Sequence, residues 1–365
     1  MTKHNGITRR RVLGSTAVAG VIGSAGCTGG GSDTAEPTES DTESGGGDGT
    51  TTSESGNDYE SLPEVTATFA SSFQSGSIDN IAIARFKEKI EAETDGRFSV
   101  NHVPGGAYGG EVEMTQTAAQ GGLEGMGVGP IPIFLYATEH WYTSSPYVME
   151  DYDHLLRVME SDMIQEEVYD KIAAENGLRV MGQPVYVGRR NVTANSAVRT
   201  PEDVQGMKLR LPGIDAWVEV WQEIGVNPTS IPGNEIYSGL QTGTADGAAV
   251  DANLVESSKL NEVQSHLNLT KQMVGNRNLW INEEFYQGLD PTYQELVIEL
   301  GFEATAEAAE IGIETEEETI NQLESNGMTI VRDVDVEAFK SAATPAINGL
   351  FESTWAGTWE EVQQM

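Results

Sequence analysis

Cysteine and basic residues are scarce in this chain, and each shortage excludes a class of protein. Cys27 is the only cysteine among 365 residues, so the chain forms no internal disulfide and no cysteine-based zinc site. Lysine and arginine number 21 against 57 acidic residues, a formal charge of −36. Because nucleic acids are bound by basic surfaces, we expect no nucleic acid partner. The acidity indicates a salt-adapted surface; the alternative is an acidic site for a cationic substrate.

Sequence motifs of common enzymes are also missing. The chain contains no HExxH metal motif, Walker phosphate loop, GxSxG nucleophile elbow or CxxC pair. Its scattered histidines lack metal-ligand spacing, and we interpret them as surface or hydrogen-bonded structural residues. Beyond residue 27 they are His102, His140, His154 and His266. We therefore predict a protein that is not an enzyme and that holds no cofactor and no metal.

The first 27 residues predict an export signal. A basic start precedes a small apolar run that is too short to span a bilayer comfortably. Residues 8–13 resemble the twin-arginine export signal. Residues 24–27 resemble a lipoprotein cleavage box, with Cys27 as the lipid-bearing first mature residue. The alternative is a plain secretory leader with an incidental cysteine.

The remaining chain is long enough for two domains behind a linker. Residues 28–60 are mostly Gly, Ser, Thr, Asp and Glu, which predicts a flexible tether. From residue 65 onward strand patterns alternate with helical ones, as is typical of α/β layers with a mainly parallel sheet. Residues 266–270 and 273–282 predict two separate strands, and residues 291–326 predict the longest helix.

The most informative stretch is residues 186–250. Residues 200–203 predict a turn or short helix, because proline suits the first helical position and acids suit the first turn. Gly206 ends that pattern, and residues 208–211 alternate as a short strand. Arg210 therefore lies at a strand end, where a guanidinium can present a two-pronged donor to a carboxylate.

These residues resemble the solute-binding proteins of TRAP (tripartite ATP-independent periplasmic) transporters, the DctP-like family. The family pattern of Gly-x-Arg, Thr-Pro-Glu-Asp and Lys-x-Arg-x-Pro is found here at residues 188–190, 200–203 and 208–212. A run ending in Leu-Gln-Thr-Gly-x-x-Asp-Gly follows at residues 235–247. The resemblance covers about residues 64–360. It implies an α/β, two-lobed periplasmic-binding-protein-like fold with a hinge, a central cleft and a long backing helix.

The resemblance also implies lobe boundaries and ligand contacts. Lobe I takes residues 64–187 plus about 275–316, and lobe II takes residues 188–274 plus about 317–365. Arg210 clamps the ligand carboxylate and Arg190 supports it, although the neighbouring Arg189 is an alternative for part of that role. The further candidate contacts are Gly213, Ile214, Asp251, Phe73, Ser77 and Trp280.

Two departures from the family pattern leave the identity of the ligand open. Some relatives that bind sugar acids carry Asn-Pro where this chain has Val250 and Asp251. Ala249 replaces a glutamate of the same pattern. We therefore expect a small organic acid without naming which one.

The resemblance further implies partners and a location. A small and a large TRAP membrane subunit, driven by an ion gradient, receive the ligand, and a lipid anchor holds the protein at the extracellular face of the cell membrane. The acidity and the leader suit a haloarchaeon. The alternatives are a binding lipoprotein of an ABC-type importer and a tethered extracellular enzyme. Sequons at Asn191 and Asn268 add two hypothetical glycosylation sites.

Overall fold

The structure is a computed structural model and describes residues 59–365. The predicted export signal, Cys27 and nearly all of the predicted tether lie outside the described residues. Within the described range, none of the helices is both long and apolar enough to cross a membrane.

Strands and helices alternate along the described chain. The strands are β1 (Val65–Ser71), β2 (Phe98–Val103), β3 (Gly125–Val128), β4 (Leu178–Val180), β5 (Val185–Ala194), β6 (Lys208–Leu211), β7 (Asn227–Ser230), β8 (Gly247–Asp251), β9 (His266–Asn282) and β10 (Thr329–Val331). The helices are α1 (Ile78–Glu93), α2 (Glu111–Ala119), α3 (Ile131–Tyr136), α4 (Tyr152–Met159), α5 (Asp162–Ile164), α6 (Asp170–Asn176), α7 (Asp215–Ile224), α8 (Ile236–Gln241), α9 (Ala252–Ser257), α10 (Glu283–Gln287), α11 (Pro291–Ser325), α12 (Val336–Ser353) and α13 (Trp359–Gln364).

The strands are hydrogen-bonded in the order β2-β1-β3-β9-β5-β8-β6-β7, with β4 and β10 also paired to β9. Towards the two ends of this order the pairs are parallel: β1 with β2 and β3, and β6 with β7 and β8. At the centre β9 runs antiparallel to β3 and β5, and β5 runs antiparallel to β8. The prediction of a mainly parallel sheet is therefore wrong at the centre, where β9 runs antiparallel to β3 and β5, and β5 runs antiparallel to β8.

Strand β9 is one continuous strand of 17 residues where the sequence predicted two. Its first residues pair with β10 and its last residues pair with β3 and β4. Lys271, in the gap between the two predicted strands, adopts φ +47°. The register of β9 against β5 shifts in this region, between the Arg190–Met273 and Val192–Asn268 pairs, so the predicted break corresponds to an irregularity within one strand.

Helix α11 confirms the predicted long helix and contacts both halves of the molecule. Near its middle, Lys89 of α1 forms an ion pair with Glu307 at 2.7 Å. Further along, Glu316 accepts hydrogen bonds from the Tyr186 hydroxyl and the Arg189 amide, both at 2.7 Å. Gly312 allows the close approach, because a Cβ there would lie 2.0 Å from the Tyr186 carbonyl oxygen.

Two apolar clusters hold the fold together. In the first, the rings of Phe69 and Phe86 lie 5.2 Å apart, and α1 packs across β1 and β2. The second lies under α8, α9 and the end of α11. Its members include Ile236, Leu240, Val255, Ile320 and Leu323. Each half of the sheet therefore has apolar side chains that fix the strand ends on which the site is built.

The C-terminal residues form two helices, α12 and α13. Helix α12 ends at Ser353 and α13 begins at Trp359. Helix α13 returns to the segment after residue 147, where His154 Nε2 donates to the Val362 carbonyl at 2.7 Å. This contact joins the end of predicted lobe II to predicted lobe I, and the lobe boundaries stay a prediction.

Candidate ligand-binding site

Arg210 lies near the carboxyl end of β6, and local structure explains its placement. The 3₁₀ turn Pro201–Val204 begins after Thr200, whose amide donates to Asp203 Oδ2 at 3.0 Å. Gly206 then adopts φ +73° and turns the chain into the strand. Because β6 is parallel to both of its neighbours, its carboxyl end faces the crevice where ligands of α/β folds bind.

Arg210 is 4% exposed and forms no ion pair with any described residue. Its Nε–H donates to the Ile231 carbonyl at 2.8 Å, which fixes the plane of the guanidinium. Burial, together with the nearby Arg190, lowers the pKa of Arg210 to about 9. At neutral pH the side chain is therefore a buried cation with terminal N–H groups available to an anion.

Arg190 lies beside Arg210 and is held by three different neighbours. It pairs across the strands with Asp251, and a terminal nitrogen of its guanidinium donates to the Ala249 carbonyl. The guanidinium carbon lies 4.9 Å from the centroid of the Trp217 ring, within cation–π distance. Burial lowers its pKa to about 10, and its Nε–H has no partner among the described residues.

Arg277, which the sequence reasoning missed, brings a third guanidinium to the same cavity. It stands on β9 and its guanidinium lies 4.8 Å from the centroid of the Phe73 ring. One terminal nitrogen donates to the Asn276 carbonyl at 3.1 Å, whereas its Nε–H has no partner among the described residues. The signal was present in the sequence, since Arg277 is a charged residue within a run predicted as a strand.

The side chains that line this cavity carry more positive than negative charge. Its lining includes Arg190, Arg210 and Arg277 but, within the described residues, a single carboxylate, Glu111. Glu111 Oε1 accepts the Gly129 N–H at 2.8 Å, so this oxygen already has a partner. The indole N–H of Trp141, another lining residue, is buried without a described acceptor. The cavity therefore offers hydrogen-bond donors and positive charge.

The cavity has mostly apolar walls. It contains about 520 Å³ of empty space, its open mouth included. The apolar part of the wall comes from Ile131, Trp141, Ile214, Trp217, Ile236 and Met273. Apolar walls with a few convergent polar groups are the usual composition of small-molecule sites.

A second, smaller cavity adjoins the first. Phe73, Leu254 and Arg277 line both, so the two spaces share a boundary. The polar residues of the second cavity are mostly hydrogen-bond acceptors or hydroxyl groups. They are Ser77, Asp79, Asp251, Asn253 and Ser257. The two cavities thus differ in character, since donors dominate the first and acceptors the second.

The structure brings most of the candidate residues together. Arg210, Arg190, Ile214 and Phe73 line the first cavity, whereas Asp251, Ser77 and again Phe73 line the second. Arg189, the alternative to Arg190, lines neither and donates to the Glu150 carbonyl at 2.6 Å.

Gly213 and Trp280 line neither cavity. A Cβ on Gly213 would lie 2.6 Å from Ser230 Oγ, so glycine here permits close packing beside the site. Trp280 is fully buried, pairs with Met126 between β3 and β9, and stacks edge-on against Tyr169 at 5.6 Å. Its placement makes it part of the core, because this end of β9 lies inside the sheet.

The two sequons are not accessible in the folded chain. Asn191 is 1% exposed and Asn268 is fully buried. Their amide groups donate to the carbonyls of Arg189 and Val192, each at 3.0 Å. Glycosylation of these side chains would require the strands to open. Among the described residues, no cluster of His, Cys, Asp and Glu has the arrangement of a metal site.

Comparison with known proteins identifies the family to which the chain belongs. The profile described as bacterial extracellular solute-binding protein, family 7 (DctP), matches residues 69–354. The chain belongs to the DctP family. A solute-binding protein of Roseobacter denitrificans is 29% identical over 277 residues, which cover 73% of this chain and 81% of that protein. The sialic acid-binding periplasmic protein SiaP of Vibrio cholerae is 27% identical over 271 residues, or 74% of this chain and 83% of SiaP.

A solved structure gives the same fold. The TRAP periplasmic solute-binding protein of Polaromonas sp. JS666, bound to D-erythronate, matches with a TM-score of 0.77 at 25% identity. The match covers 82% of this chain and 98% of the solved one. It confirms the predicted two-lobed fold. The DctP family and these relatives are solute-binding proteins of transport systems.

Proposed function

We propose that the first cavity captures the carboxylate of a small organic acid, with Arg210 as the principal clamp and Arg190 beside it. The observation that carries this proposal is the arrangement of three buried guanidiniums, those of Arg190, Arg210 and Arg277, around one cavity. In the described part of the chain none of the three forms an ion pair with a carboxylate. Because buried charges are stable when paired, the arrangement favours an anionic ligand.

The chemistry of the clamp suits a carboxylate. A guanidinium presents parallel N–H donors that match the two oxygens of a carboxylate. The Arg210 Nε–H donates to the Ile231 carbonyl, and this bond fixes the plane of the guanidinium. The remaining terminal N–H groups therefore favour one orientation of the ligand carboxylate. The relatives support an acid as ligand, since D-erythronate is bound in one of them and sialic acid is bound by another.

The wider role is that of the receptor of a TRAP transporter. We infer that the acid is delivered unaltered to a small and a large membrane subunit, and that the predicted lobes close around it. Lobe I is then residues 64–187 plus about 275–316, and lobe II is residues 188–274 plus about 317–365. The two-lobed match to a TRAP binding protein supports this role. Lobe closure would exclude water and create the surface that the membrane subunits recognise.

The location outside the cytoplasm has the support of the relatives, which are named periplasmic. The finer proposal is export through the twin-arginine signal of residues 1–27 and attachment of a lipid to Cys27. The tether of residues 28–60 would then hold the receptor at the extracellular face of the membrane. The excess of acidic residues supports a salt-adapted protein from a haloarchaeon.

Binding calorimetry in high salt tests the proposal directly. Titration with D-erythronate, D-gluconate, sialic acid and simple mono- and dicarboxylates should identify at least one acid that binds. Arg210→Ala should weaken that acid by about 2–5 kcal/mol, the usual cost of truncating one partner of a desolvated charge pair. Arg199→Ala, which removes a half-exposed arginine paired with Asp333, should leave the affinity unchanged. Full affinity in the Arg210→Ala variant would exclude the clamp.

A further inference from the structure

Asp251 lines the second cavity with one carboxylate oxygen unpartnered. The residue is 2% exposed and stands at the end of β8, immediately before α9. Its Oδ1 accepts the Leu254 N–H at 2.9 Å, which fixes the orientation of the carboxylate. Its Oδ2 accepts no hydrogen bond from any described residue. Because a buried acceptor without a donor costs free energy, this oxygen is suited to a donor that arrives with the ligand.

We propose that Asp251 Oδ2 accepts a hydrogen bond from a hydroxyl group of the bound acid and thereby selects hydroxy acids over acids that lack that hydroxyl. Asp251 is then a specificity-determining residue in the second cavity, separate from the carboxylate clamp in the first. The inference rests on the proposed function, because it requires the ligand carboxylate to occupy the first cavity.

The geometry of the strands places the two contacts within reach of one small ligand. Arg190 and Asp251 are directly opposite each other in the antiparallel pair of β5 and β8. Residues opposite each other in such a pair have Cα atoms about 4.5–5.5 Å apart. The two cavities also share Phe73, Leu254 and Arg277 as walls. A ligand that crosses this shared boundary can therefore place its carboxylate in the first cavity and a hydroxyl group in the second.

The charges near Asp251 favour a neutral hydroxyl over an ammonium group as the donor. Arg277 lines the same cavity, so an ammonium group placed there would face a guanidinium. Asp79 lines this cavity as well, and burial raises the pKa of its carboxyl group, so its charged form is disfavoured. Asp79 also already accepts a hydrogen bond from the Ser71 hydroxyl. A hydroxyl group satisfies Asp251 without introducing a second cation.

Matched ligands and an isosteric variant test this selection by calorimetry. The ligands are D-erythronate, its three singly deoxygenated counterparts, butanoate and 4-aminobutanoate, with D-gluconate and its deoxy counterparts as a longer series. Asp251→Asn keeps the shape and the oxygen that caps α9, but presents an amide donor in place of Oδ2. Glu256→Gln removes the same charge from an exposed position on α9, outside both cavities.

The wild-type protein and the Glu256→Gln variant should bind one deoxy acid about 10- to 100-fold more weakly than its parent, the usual range for a hydrogen bond to a charged group. In the Asp251→Asn variant the advantage of the parent over that deoxy acid should shrink, because the charged acceptor is lost. Comparing acids of the same charge cancels the general effect of the substitution on anion binding.

Three outcomes would overturn the inference while leaving carboxylate capture intact. They are equal binding of all the acids by the wild-type protein, unchanged discrimination in the Asp251→Asn variant, and tighter binding of 4-aminobutanoate than of every hydroxy acid. Failure of every acid to bind would instead contradict the proposed function. If the variant does not fold, a crystal structure of the wild-type complex decides, because a ligand hydroxyl must lie within about 3.2 Å of Asp251 Oδ2.

Discussion

Arg190 and Trp217 form a stacked pair in which the guanidinium carbon lies 4.9 Å from the centroid of the indole ring. The indole N–H donates to the Ser144 carbonyl at 2.7 Å, so the ring has a fixed orientation. Trp217 belongs to α7 on the side of Arg210, whereas Ser144 belongs to the predicted first lobe. The tryptophan therefore holds one arginine of the clamp and connects the two sides of the cleft.

Replacing Trp217 should weaken ligand binding while leaving the arginines in place. In Trp217→Leu the cation–π contact and the bond to Ser144 are both lost, and we expect a loss of about 0.5–2 kcal/mol in the binding free energy of a carboxylate. Trp217→Phe keeps an aromatic ring without the N–H and should show an intermediate loss. Calorimetry with the same acid checks both. Wild-type affinity in the leucine variant would mean that the stacking is unimportant.

Replacing Arg210 by methionine should stabilise the unliganded protein. Burial lowers the pKa of Arg210 from 12.5 to about 9, so the folded state holds the proton less tightly than the unfolded state. The buried positive charge therefore destabilises the folded protein at all pH values below about 9, and this destabilisation decreases only as the pH rises through that value. A buried apolar side chain avoids it, and we expect a gain of about 1 kcal/mol or more at pH 7.

Urea unfolding without ligand measures that gain, and saturating acid provides the control. The ligand should stabilise the wild-type protein and should not stabilise the Arg210→Met variant. A methionine variant less stable than the unliganded wild-type protein would contradict the interpretation that the guanidinium is held for binding at the expense of stability.

Asp79→Asn should change how stability depends on pH. Burial raises the pKa of the Asp79 carboxyl group above its ordinary 3.8. The protonated Asp79 carboxyl group therefore stabilises the folded protein. This contribution is fully present below pH 3.8 and is lost as the pH rises through the raised pKa. Asparagine cannot ionise, so the variant should gain stability relative to wild type at pH 8 and gain little at pH 4. Unfolding midpoints at pH 4, 6 and 8 in constant salt check this, and an equal effect at every pH would refute it.

Replacing Cys27 by serine tests the predicted anchor, which lies outside the described residues. The variant has no thiol for a lipid, so we expect it to be released into the medium while ligand affinity is unchanged. Fractionation of cells and medium measures the difference. A neutral change within the tether, Ser32→Ala, provides the control and should stay with the cells. Continued association of the serine variant with the cells would argue for a different mode of attachment.

Local patterns predicted the elements well where propensity and tertiary structure agree. The strand that carries Arg210 has the predicted bounds, residues 208–211. It is short, apolar at alternate positions and lies between a glycine and a proline. The long helix also begins at the predicted residue 291. Asp290 caps its start by accepting a hydrogen bond from the Thr292 amide at 2.9 Å.

The sequence reasoning failed where long-range pairing decides the structure. The continuity of β9 through Lys271 depends on partner strands distant in the sequence, which no local pattern contains. Arg277 was missed for the same reason, since only the pairing of β9 with β5 brings it towards Arg190. Trp280, three residues further along, lies in the core instead. A pattern identifies which residues are unusual, but the assembled sheet decides which of them meet.

The length of α11 has a practical consequence for spectroscopy. A helix of 35 residues rises about 1.5 Å per residue, so labels at Glu295 and Gln322 stand about 40 Å apart along one rod. Both positions are exposed, and a chain lacking its single native thiol would accept labels only where cysteines are introduced. That pair gives a constant distance within the molecule. Any shortening between a second pair of labels, one on each side of the cleft, can then be calibrated against it.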